Sequence, residues 1–140
     1  MNITKMFNQS ASKHESSMVM GYTLLSIDPK RGTPSTSLGP KMGIEPTSLS
    51  RTLSKLEEKK LITRTPNPMD KRGVIIKLTE EGLILRDISK SQVLYFYSEL
   101  EKHITVEESE TFYKVLDKIN ELTNQLTIQN KNFAQHEKTH

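Results

Sequence analysis

The stretch "PTSLSRTLSKLEEKKLITRTPNPMDKRGVIIKLTEEG", Pro46 to Gly82, changes its periodicity partway along, and that change decides the fold. Pro46 follows Glu45 and has the fixed φ that suits a first helical position. Laid out at about 100° per residue, Leu49, Leu53 and Leu56 fall on one narrow stripe, which predicts an amphipathic helix through "TSLSRTLSKLEEKKL". "LITRTP" then predicts a short strand with Ile62 inward. "VIIKL", Val74 to Leu78, is rich in β-branched residues and predicts a second strand. Between them lie two prolines, an asparagine and the run Asp70-Lys71-Arg72-Gly73, which is turn chemistry. A helix is thus followed by a hairpin whose tip bears adjacent cations. Such a tip repels itself, and a negative partner would relieve it.

The charge distribution sharpens that expectation. From Lys59 to Lys77 the cations Lys59, Lys60, Arg64, Lys71, Arg72 and Lys77 stand against the single anion Asp70, a local +5 in a chain whose net charge is +3. The positive charge therefore sits in one place. On the helix, Thr47, Arg51, Ser54 and Lys55 cluster opposite the leucine stripe, with Ser48 at the edge. Small hydroxyls allow close approach to a nucleic-acid groove, while Arg and Lys reach phosphates or guanine edges. The same face would also serve as an ordinary solvated surface, so its partner is decided by what surrounds it.

Working outward, Ile3, Met6 and Phe7 are spaced three and four apart and predict a helical stub to about Ser12. "SSMVMGYTLLSI", Ser16 to Ile27, predicts a mostly buried helix carrying Val19, Tyr22, Leu24, Leu25 and Ile27, closed by Asp28-Pro29. "KRGTPST" is expected to be a loop. A brief helix follows from about Thr36 to Met42, capped by Ser35 and ended by Gly43. The order helix, tight turn, helix, basic hairpin is that of a winged helix. In such a unit the second helix lies in the major groove, and the hairpin can push an arginine into the minor groove beside it.

The segment from Thr33 to Gly82 resembles the winged helix–turn–helix of the MarR family of bacterial transcription regulators. "SRTLSKLEEKKLITR" and the "DKR…LTEEG" ending are the telling parts, and the likeness covers about residues 30 to 82. The resemblance implies a homodimer in which each subunit gives one recognition helix and one wing to a palindromic double-stranded DNA site. It also implies, for many members, release from DNA by a small aromatic or phenolic ligand, and repression as the usual output. Residue by residue, Thr47, Ser48, Arg51, Ser54 and Lys55 match groove-facing positions of the recognition helix. Arg72 matches the wing arginine and Asp70 the acidic residue that supports the wing; Arg64, Lys71 and Gly73 complete the wing set. Met18, Tyr22 and the long fifth helix are candidates to line a pocket, or are plain core. Family members begin with a long helix, and here only a dozen or so residues precede the second one.

The remaining helices are expected to supply the dimer. Thr79 with "TEEG" starts a helix through about His103. Thr105 and Glu108 form a capping box for the next, whose Phe112, Leu116, Ile119, Leu122 and Leu126 are spaced four, three, three and four apart. The expectation is thus a single MarR-type domain, mainly α with a small β-hairpin wing. Residues of about 30–82 form the DNA-binding part, about 1–28 and 83–130 the dimerisation helices, and 131–140 a disordered tail.

Composition excludes other chemistry. Without cysteine there is no disulfide, thiolate metal site or thiol redox switch. His14, His103, His136 and His140 are scattered and lack metal-ligand spacing except for a weak terminal pair. No phosphate loop, nucleophile elbow or catalytic carboxylate pair is present, so neither an enzyme nor a cofactor is expected. No apolar run nears the ~20 residues that span a bilayer. The N-terminus lacks a secretory pattern, which gives a cytoplasmic expectation. The competing function is a winged-helix protein–protein module whose basic wing meets an acidic partner.

Overall fold

Helix α4 (Pro46–Glu58) forms where the leucine stripe predicts it, with Pro46 at its first turn and Leu49, Leu53 and Leu56 buried. In the computed structural model, which describes residues 3–14 and 16–136, it is one of six helices and three strands. Side chains at 71, 72 and 129–136 lie outside the description. The others in chain order are α1 (Ile3–Ser12), α2 (Met18–Ser26), β1 (Thr33–Pro34), α3 (Ser35–Met42), β2 (Ile62–Asn67), β3 (Asp70–Leu78), α5 (Glu80–Glu101) and α6 (Val106–His136). The architecture is mainly α with a small antiparallel sheet in the order β1-β3-β2. The chain divides into two compact units, the first ending at Phe96 and the second beginning at Tyr97.

In the first unit one apolar core joins α2, α3, α4 and the sheet. Leu24, Leu38, Leu56, Ile62 and Ile76 are almost wholly removed from water, and Ile62 points inward as its strand pattern predicts. Burial of this kind is the main stabilising term, about 1.5–3 kcal/mol for each large aliphatic side chain. Ser17 caps α2, its hydroxyl accepting from the Met20 N–H at 3.3 Å. Asn8 ties α1 to the same turn by accepting from the Met18 N–H at 2.8 Å. The loop after α2 is organised by Asp28, whose Oδ1 accepts from the N–H groups of Lys30 and Arg31, both at 2.8 Å.

The structure departs from expectation at several points. Val19 and Tyr22 are 46% and 45% exposed rather than buried. They lie on the flank of α2 that turns away from the core. Thr33 and Pro34, expected in a loop, form β1 by pairing with Ile76 and Ile75; an edge strand tolerates the proline. Ser35 is the first residue of α3 rather than its cap; Pro34 holds the capping position, and no side chain caps the helix. α4 stops at Glu58 because Lys60 adopts a left-handed φ of 58° and turns the chain, with Leu61 N–H donating to the Leu56 carbonyl at 2.9 Å. β3 begins at Asp70, earlier than Val74, because Asp70 pairs with Asn67.

The junction between the hairpin and α5 is tight. The Thr79 hydroxyl donates to the Lys60 carbonyl at 2.7 Å and accepts from the Gly82 N–H at 3.0 Å, while Thr79 N–H donates to the Leu61 carbonyl at 3.1 Å. Gly82 sits so close to that strand end that a Cβ there would lie 1.9 Å from the Leu61 carbonyl oxygen.

The second unit contains the end of α5 and α6. The expected capping box is present: Glu108 Oε2 accepts from the Thr105 N–H at 2.8 Å, and the Thr105 hydroxyl oxygen accepts from the Glu108 N–H at 3.2 Å. α6 continues to His136, so residues 131–136 are helical where a disordered tail was expected; residues 137–140 lie outside the described part.

Candidate nucleic-acid interface

α3, a turn and α4 make a helix–turn–helix. Gly43 ends α3 in the left-handed region at φ 64°, a conformation that costs glycine little, and the chain reverses through Ile44 and Glu45 into α4. The leucines of α4 face the core, which fixes its roll. Thr47, Ser48, Arg51, Ser54 and Lys55 are consequently all exposed. Thr52 falls between the two faces; it is buried, and its hydroxyl donates to the Ser48 carbonyl at 2.9 Å. Ser48, Arg51 and Lys55 also border a shallow surface groove with Val19 and Met20 of α2.

The wing is the β2–β3 hairpin. Asn67 pairs with Asp70, closing a loop of only Pro68 and Met69, and the Met69 N–H donates to Asn67 Oδ1 at 3.0 Å. The next pair inward is Pro66 with Val74, so Lys71, Arg72 and Gly73 have no opposing residue on β2. They form a bulge in β3, and bulges re-aim side chains out of a regular ladder. The bulge holds three of the five wing candidates, Lys71, Arg72 and Gly73. Gly73 lies beneath Asp70: a Cβ on Gly73 would be 3.3 Å from Asp70 Oδ2 and 3.6 Å from Asn67 Nδ2. The acidic group is turned back onto the hairpin.

Arg64, on β2, is engaged within the protein. Its Nε donates to Glu57 Oε2 at 2.9 Å, joining the wing stem to the last turn of α4. Both side chains are partly exposed, so the pair adds little stability. Its consequence is geometric, since it links the two elements that carry the candidate contacts. Sequence patterning did not single out Glu57 or Met69, and it read Thr79 only as a helix start, because their contacts depend on residues outside the local pattern.

The other candidate feature is an apolar cavity of about 120 Å³ in the first unit, bounded by Phe7, Met18 and Tyr22 with Leu85, Ile88 and Val93 of α5. It is comparable with an engineered apolar cavity of about 150 Å³ that admits benzene. Among the described residues no group of three or more His, Asp or Glu could hold a metal ion, and no helix is long and apolar enough to cross a membrane.

Comparison with known proteins agrees with this geometry. Residues 22–74 match the model of the MarR family. The multiple antibiotic resistance protein MarR of Salmonella typhimurium is 40% identical over 73 residues, 51% of this chain and 51% of that protein. The chain therefore aligns with about half the length of the curated relatives it matches. A cysteine-to-serine mutant of Escherichia coli MarR complexed with operator DNA is 28% identical, with 83% of this chain and 84% of that one covered and a TM-score of 0.72. The S. aureus MepR–DNA complex shares the fold at a TM-score of 0.76 and 24% identity, covering 84% and 88% of the two chains. From the exposed helix, the bulged wing and these likenesses, the chain carries a winged helix–turn–helix similar to that of the MarR family of transcriptional regulators.

Proposed function

We propose that the protein is a homodimeric repressor that binds a palindromic operator in double-stranded DNA and is released by a small aromatic ligand. One observation carries this: on α4 the five candidate residues are all exposed while the leucines opposite them are buried. The helix is therefore held by its apolar face and offers a polar, cationic face to a groove. In this mechanism Arg51 and Lys55 reach phosphates or base edges, and Thr47, Ser48 and Ser54 permit close approach. The wing, kept beside α4 by Arg64 and Glu57, brings Lys71 and Arg72 to the backbone and minor groove, where narrow A·T tracts attract arginine. Asp70 and Gly73 shape that bulge.

Pairing of subunits is supported by α6, where Phe112, Ile119, Leu122 and Leu126 are each about half exposed or more in the single chain. Continuous apolar surface of this kind marks an interface. The ligand part of the proposal rests on the cavity at Met18 and Tyr22, whose apolar lining suits one aromatic ring. Fluorescence anisotropy with duplex DNA from the gene's own upstream region tests the reading, repeated with aromatic acids. Saturable binding that weakens with added ligand is expected. A folded dimer that fails to bind at low salt would instead favour an acidic protein partner.

A further inference from the structure

The wing ends in a side chain that contributes nothing to its own fold. Met69 is 92% exposed at the apex of the two-residue loop. Its backbone is nevertheless held: the N–H donates to Asn67 Oδ1, Pro68 precedes it, and the Asn67–Asp70 pair closes the loop beneath. The two polar side chains beside it are turned inward over Gly73. The outermost described group of a cationic hairpin is therefore a flexible thioether, not a solubilising polar residue. Placing it there leaves its apolar surface in water, which would be offset by burial against a partner. Along the sequence from Lys59 to Lys77, six cations (Lys59, Lys60, Arg64, Lys71, Arg72 and Lys77) stand against Asp70, which points to a polyanionic partner.

Building on the DNA-binding reading above, we propose that Met69 is an apolar wedge that enters the minor groove beside the wing arginine. Methionine is among the side chains that wedge at base steps from the minor groove, and flexible pyrimidine–purine steps yield to it most readily. The wedge adds affinity without neutralising a phosphate. It therefore has a signature separate from that of Lys71 or Arg72: loss of affinity with no change in salt dependence.

The test uses the full chain and a duplex selected by the wild-type protein from a random-sequence pool. Met69→Ala and the polar near-isostere Met69→Gln are expected to bind about tenfold more weakly, the scale of one apolar side chain left unburied. Met69→Leu should keep wild-type affinity, and all three should keep the wild-type salt slope. A separate selection with Met69→Ala should lose any preference for TA or CA steps under the wing. Wild-type binding matched by Met69→Ala and Met69→Gln would overturn the wedge while leaving the DNA reading intact. A slope altered by Met69→Ala would also overturn it. Absence of duplex binding by wild-type protein would overturn both.

Discussion

Gly82 shows how one residue can be fixed by a neighbour remote in sequence. Its missing side chain is required because the Leu61 carbonyl occupies the space a Cβ would take, at 1.9 Å. Backbone oxygen cannot move aside as the end of a long side chain could, so Gly82→Ala must displace α5 or break the Thr79 bonds. A loss of at least about 2 kcal/mol is expected, in line with overpacked sites, and urea denaturation would measure it. Arg72 acts differently, with its contribution expected in binding. Arg72→Ala should weaken operator affinity by about 1–3 kcal/mol at unchanged stability, with part of the loss in A·T selectivity. Anisotropy titrations on A·T-rich and G·C-substituted sites would separate the two components.

At the scale of elements, the first turn of α6 carries a pH dependence that can be worked out. Hydrogen bonds to Glu108 from the Thr105 N–H and then from its hydroxyl hold that carboxyl below its ordinary 4.5. A lowered folded pKa means the carboxylate stabilises the cap above about pH 4.5, and that contribution disappears as pH falls through the lowered value. Amide exchange in the first turn should therefore accelerate in acid, and Glu108→Gln should flatten the profile. The recognition helix depends on its apolar side instead. Leu56 is fully buried in the cluster joining α2, α4 and the sheet. Leu56→Ala should cost about 2–5 kcal/mol and loosen the roll of α4, lowering stability and DNA affinity together.

Across the whole molecule, the proposed function is electrostatic and paired. A dimer contacting about eight phosphates should show a log–log salt slope near −7. A flat dependence would remove the DNA reading. The exposed apolar residues of α6 place the expected pairing there, so Leu122→Asp should shift sedimentation toward monomer and abolish tight operator binding. The same substitution would leave each subunit's helix–turn–helix core intact, because Leu122 lies in the second compact unit.

The sequence by itself determined the helix–hairpin order, the buried leucine stripe, the polar face of α4, the capping box and the motif shared with the MarR family. Each is written in local spacing or local turn chemistry: Leu49, Leu53 and Leu56 announce their helix, and Thr105 with Glu108 announce theirs. Tertiary structure alone decided that Thr33 and Pro34 pair with β3, that Lys71, Arg72 and Gly73 bulge from the ladder, and that Glu57 holds Arg64. It also decided that Val19 and Tyr22 stay half exposed. These features depend on how one element meets another, whether near or far along the chain. Register, backbone crowding and solvent exposure arise only when the partner segment is in place, and no period within either segment encodes them.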